Sequence, residues 1–106
     1  MELKVIARGL DDGANLREFG ANKLTGALER FEDRVLTATM RLEDETGPTK
    51  HGVDKVCSIE VRLRTGEIHI REVGEEFRAT IDKAVDRLKA ALSREVGKAK
   101  RGVGEG

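Results

Sequence analysis

Three consecutive stretches of this chain alternate apolar and polar residues with a period of two. In residues 34–45, Leu36, Ala38, Met40 and Leu42 share a face opposite Thr37, Thr39 and Arg41. In residues 55–64, Cys57, Ile59, Val61 and Leu63 oppose Ser58, Glu60 and Arg62. Ile68 and Ile70 then oppose Glu67, His69 and Arg71, up to a break at Gly74. Side chains of a pleated strand point alternately to its two faces, so each stretch predicts a strand with one dry and one wet face. Three such strands in succession predict an antiparallel meander, with Thr65-Gly66 as a hairpin turn. Residues 46–52, which hold the only proline beside a glycine, predict a loop.

Residues 1–8 also alternate, with Leu3, Val5 and Ala7 on one side. Asp11 or Asp12 can then accept a hydrogen bond from a free helix N–H, so a helix is expected to begin there. Apolar or small residues at 16, 19, 20, 24, 27, 28 and 31 lay one stripe along about five helical turns. The last element is clearest: Phe77, Ile81, Ala84, Val85, Leu88, Leu92 and Val96 keep three- and four-residue spacing. The chain of 106 residues suits one domain, here 1–101, with 102–106 expected as a loose tail. The order strand, helix, three strands, helix predicts an α+β two-layer sandwich, a four-stranded sheet with both helices on one face. The helix after the first strand lets that strand pair parallel to a neighbour.

The balance of 20 Lys and Arg against 20 Asp and Glu gives zero net charge, which by itself speaks against a nucleic-acid partner. The charges are sorted along the chain, however. Residues 78–101 hold eight basic and three acidic residues, a net of +5, while residues 1–77 carry −4 and Glu105 the last −1. At 100° per residue, Lys83, Arg87, Arg94, Lys98 and Arg101 fall within an arc of about 60° on the last helix, and no acid shares it. Such a row of long cations on a rigid element can displace counterions from RNA or DNA. It also reads as an ordinary solvated face. Lys23 and Arg30 lie at the edge of the first helix's apolar stripe. Were the helices side by side, these two could border the same groove as Lys83 and Arg87.

Other chemistries find little support. Cys57 lies on an apolar strand face and reads as core; a single cysteine makes no internal disulfide, so a reducing cytoplasm is expected. Two histidines and one cysteine lack metal-ligand spacing, and Glu43-Asp44-Glu45 lacks the pattern of a calcium loop. No nucleophile set, phosphate-cradling glycine loop or nucleotide fingerprint is present, so neither an enzyme nor a cofactor is expected. No apolar run nears the ~18 residues of a membrane span, and Met1-Glu2-Leu3-Lys4 lacks the layout of a signal peptide. The three aromatics, Phe19, Phe31 and Phe77, all belong to helix stripes, so RNA binding would use backbone and shape rather than base stacking on the sheet. The polar sheet face or an exposed strand edge could support a weak homodimer. A small protein-interaction or regulatory module using the acidic strand end and the 46–55 loop is the alternative.

Several segments together resemble the ribosome hibernation-promoting factors, also called ribosome-associated inhibitors or the sigma-54 modulation family. They are Leu16-Arg17-Glu18-Phe19 with Lys23-Leu24; Leu28-Glu29-Arg30-Phe31-Glu32-Asp33-Arg34; Gly66-Glu67-Ile68-His69; and Ala79-Thr80-Ile81-Asp82-Lys83-Ala84-Val85-Asp86-Arg87-Leu88. The resemblance spans about residues 1–100 and is most specific around Ile81-Asp82 and Leu88. It implies a β-α-β-β-β-α fold like a double-stranded-RNA-binding domain. It also implies binding to 16S ribosomal RNA in the decoding channel of the small ribosomal subunit, blocking messenger and transfer RNA sites of idle ribosomes. By position it implies Lys23, Arg30, Lys83 and Arg87 as RNA contacts, extended by Arg94, Lys98 and Arg101. The family usually carries aromatic-alanine-alanine before Ile-Asp, where this chain has Phe77-Arg78-Ala79-Thr80. It resembles a shorter, single-domain branch, which is not expected to pair ribosomes through the dimerisation domain of long members.

Overall fold

The computed structural model describes residues 1–45 and 54–105, the side chains of 98–105 excepted. The expected order holds: β1 (Glu2–Ile6), α1 (Gly13–Leu28), a 3-10 turn (Glu29–Phe31), β2 (Val35–Asp44), β3 (Lys55–Leu63), β4 (Gly66–Gly74) and α2 (Phe77–Glu105). The sheet order is β1-β2-β3-β4, with β1 parallel to β2 and the other neighbours antiparallel. The helices pack against each other, α1 over β1 and β2 and α2 over β3 and β4. The apolar stripes meet the sheet there: Leu16, Leu24 and Leu28 of α1 and Ile81, Leu88 and Leu92 of α2 join Met40, Cys57, Ile59 and Val61 in one core. Loss of any one of the leucine, isoleucine or methionine side chains among these to alanine costs about 2–5 kcal/mol.

Gly20 lets α1 lie close to the sheet, since a Cβ there would sit 2.8 Å from Met40 Sδ. Helix-interior glycine costs about 1 kcal/mol in propensity, offset here by the close contact with the sheet.

Three local expectations are corrected. Leu36 is not in the core: it is 45% exposed, and Val35, 4% exposed, takes the inward place. A register shift between Val35 and Thr37 accounts for this, because an extra residue in one strand flips the alternation before it. The hairpin pairs Leu63 with Gly66, so the turn residues are Arg64 and Thr65, and Gly66 begins β4 with φ of 154°. Asp12 does occupy the position before α1, but in the left-handed region and with no side-chain bond to a helix N–H. Its Oδ1 accepts from Asn15 Nδ2 at 2.6 Å instead. Apart from these corrections, α2 runs through Glu105. A helix once formed gains one hydrogen bond for each residue added.

Candidate nucleic-acid interface

The buried stripe of α2 divides its surface into two flanks. Thr80 and Arg87 look toward β4, the edge strand, while Asp82 looks toward α1. Five residues separate Asp82 from Arg87, about 140° around the helix. On the β4 flank, Arg87 Nη1 donates to Glu72 Oε2 at 2.7 Å and to the Arg71 carbonyl at 2.9 Å. Lys83 and Arg94 share this flank and are exposed. Neither has a hydrogen-bond or ion-pair partner among the described residues. The expected row is therefore present as Lys83, Arg87 and Arg94, with Arg87 already engaged by a carboxylate. The side chains of Lys98 and Arg101 lie outside the described residues.

Lys23 stands on the other flank. Its Nζ is 3.2 Å from Asp82 Oδ1 and 5.5 Å from the centre of the Phe19 ring. Arg78 covers the same ring at 4.9 Å and lies 3.7 Å from Asp12 Oδ2. Lys23 and Arg87 thus stand on opposite sides of α2, and the single groove expected to hold Lys23, Arg30, Lys83 and Arg87 does not form. Helix spacing showed which residues share an arc, but which flank faces the other helix depends on how the stripes settle on the sheet.

Arg30 lies over Phe31, 5.5 Å from the ring centre. It lines a cleft of about 400 Å³ between the 3-10 turn and α2, shared with Asp33, Arg34, Ser93 and Val96. Sequence reasoning passed over Arg34, although its four-residue step from Arg30 was a usable signal. It also passed over Arg64 at the hairpin turn, for which no sequence pattern pointed to a site.

Two of the three arginines on the open sheet face are paired with carboxylates. Arg62 pairs with Glu67 at 3.2 Å, Arg71 with Glu45 at 3.2 Å, and the His69 ring lies 3.0 Å from Glu67 and 3.7 Å from Glu60. The hydrogen bond to His69, with Arg62 nearby, holds the Glu67 carboxyl below the usual glutamate range. The three phenylalanines lie on helix faces or in the core, so this face offers no stacking platform.

The remaining candidates resolve as structure. Lys55 Nζ donates to Asp44 at 2.9 Å and to Asp54 at 3.0 Å, which raises its pKa. The acidic strand end is thus stitched across the β2–β3 ladder, where Asp44 and Lys55 are register partners. Cys57 is fully buried, and burial, with the charge of Glu72, pushes its thiol up to about 12. Among the described residues, no three His, Cys, Asp or Glu are placed to hold a metal, and no helix is long and apolar enough to cross a membrane. The 46–53 part of the loop offered for protein contacts lies outside the described residues.

The family described as Sigma 54 modulation protein / S30EA ribosomal protein matches residues 3–100. Among solved structures, the Thermus thermophilus Protein Y N-terminal domain is 29% identical with a TM-score of 0.70, covering 89% of this chain and 98% of that one. A ribosomal subunit interface protein from Coxiella burnetii shares the fold at 19% identity and a TM-score of 0.70, over 92% of this chain and 99% of that one. No curated protein matches.

Proposed function

We propose that this chain, which belongs to the family of sigma-54 modulation proteins and S30EA ribosomal proteins, binds the small ribosomal subunit and holds idle ribosomes silent. In this reading it lies in the decoding channel, where its helical layer contacts 16S ribosomal RNA and its bulk blocks the messenger and transfer RNA sites. It acts by occupancy and needs no catalytic group or cofactor. The cytoplasm, where ribosomes are, is its place of work.

The observation that carries the RNA part is the separation of charge on α2: Lys83, Arg87 and Arg94 occupy one exposed flank on which the helix itself places no acid between Lys83 and Arg94, Glu72 of β4 being the one carboxylate against it among the described residues. Phosphate contacts of this kind orient a protein on RNA without reading bases. The absence of any aromatic residue on the sheet face supports the same mode, since single-stranded bases find no stacking platform there.

The test is co-sedimentation with purified small subunits at two salt concentrations. Binding is expected to fall steeply with salt, because each phosphate contact releases counterions. The triple substitution K83E/R87E/R94E is expected to lose binding at physiological salt. Undiminished binding of that variant would remove the α2 flank from the interface.

A further inference from the structure

Arg30 and Arg34, from the segment between α1 and β2, and Arg64, from the β3–β4 turn, line adjoining hollows at the turn end of the sheet. The cleft that holds Arg30 and Arg34 continues past Val96 into a hollow of about 120 Å³ lined by Arg34, Leu63, Arg64, Thr65 and Val96. Arg34 and Val96 belong to both. Among the described residues, the side chains of Arg34 and Arg64 have no hydrogen-bond or ion-pair partner, and both residues are exposed. In this they are like Lys83 and Arg94 and unlike Lys23, Arg62, Arg71 and Arg87, each of which has a carboxylate within 3.2 Å. One acid, Asp33, lines the cleft with Arg30 and Arg34, and the hollow beyond it adds Arg64 and no acid.

We infer that this cleft is a phosphate-binding subsite for an RNA backbone, with Arg34 and Arg64 as its principal ligands and Arg30 at its rim. The inference rests on the RNA-binding reading above and adds residues outside the α2 row. Guanidinium groups present planar donor forks that match phosphate oxygens. Ser93 and Thr65 stand on the walls, and hydroxyls of this kind commonly supply further phosphate contacts. Val96 gives an apolar floor against which a ribose can pack. Ser93 follows Asp82 by eleven residues, about 20° around α2, so this grip lies on the flank of the helix away from the row of Lys83, Arg87 and Arg94 and is separate from it.

The experiment measures binding of R34Q/R64Q against salt, with two RNAs: intact small subunits and a short RNA duplex. K4Q/R17Q, which removes the same charge at the β1 side, is the control, and thermal melts verify that both variants fold. Two lost phosphate contacts should lower the slope of log affinity against log salt by about 1.4 to 1.8. At 0.15 M salt the loss in affinity should be roughly tenfold. The control should keep the wild-type slope. If the wild type binds the duplex but not subunits, and R34Q/R64Q lowers the slope, the cleft stands and the ribosomal reading falls. An unchanged slope for R34Q/R64Q on every RNA that the wild type binds overturns the cleft, as does an equal loss in the control. A wild type that binds neither RNA overturns both.

Discussion

At Gly74 the last residue of the sheet meets the first turn of α2. A Cβ at this position would collide with Thr80 Oγ1, a buried hydroxyl that donates to the Glu76 carbonyl at 2.7 Å. Thr80 stands where the family usually has alanine, and the bare glycine opposite makes its extra atoms tolerable. G74A is expected to cost about 1–3 kcal/mol by overpacking. In a T80A background most of that cost should vanish, and a double-mutant cycle by urea denaturation reads the coupling, about 1 kcal/mol or more. Equal costs in both backgrounds would place the strain elsewhere. Cys57 makes a different case. Its thiol is raised to about 12 in the fold and is near 9.0 when unfolded. The folded state therefore holds this proton more tightly, and the contribution is complete below pH 9 and drains away between pH 9 and 12. Unfolding free energies of the wild type and C57A, compared from pH 8 to 10.5, should converge as pH rises. A constant gap would contradict the burial argument.

Elements are where the sequence was most legible and where its limits show. Periodicity found both helices and all four strands, because each has one face that must be dry. It misassigned Leu36, since a bulge leaves no mark in an alternating pattern until the partner strand's register is known. It sorted the cations of α2 into one arc, because angle along a single helix follows from residue number. It joined Lys23 to the wrong flank, because the rotation of α2 on the sheet is a tertiary property. That rotation sets Glu72 of β4 against Arg87. A surface pair of this kind is worth about 0–1 kcal/mol, small for stability but comparable to one phosphate contact. An RNA that recruits Arg87 must first displace Glu72. E72Q is therefore expected to lower stability by less than about 1 kcal/mol and to tighten RNA binding by about twofold to fivefold at low salt. Fluorescence anisotropy with a labelled RNA duplex measures the second effect. Weaker binding by E72Q would mean that Glu72 positions Arg87 for RNA and does not compete with it.

At the scale of the whole molecule, zero net charge is compatible with a polyanionic partner because opposite charges occupy different places. Glu67 pairs with Arg62 and Glu45 with Arg71 on the sheet face, and Asp44 and Asp54 with Lys55, while Lys83 and Arg94 on the helical layer have no partner among the described residues. A neutral molecule gains nothing from long-range attraction to RNA as such, since the field of the acids cancels that of the cations beyond a Debye length of about 8–10 Å. It gains only where phosphates come within that distance of the cationic flank. Binding should thus depend on which charges change rather than on how many. K83E/R87E/R94E and a decoy, K4E/R17E/R41E, each replace three cations by acids and leave identical net charge. The decoy positions lie on β1, the outer face of α1 and the open sheet face, away from the α2 flank and the turn-end cleft. The decoy is expected to bind small subunits within about threefold of the wild type at 0.15 M salt, where distant charges are largely screened. The α2 variant should fall by two orders of magnitude or more, since three contacts become three repulsions. Equal losses in the two variants would mean that affinity follows total charge, and the α2 flank would lose its standing as an interface.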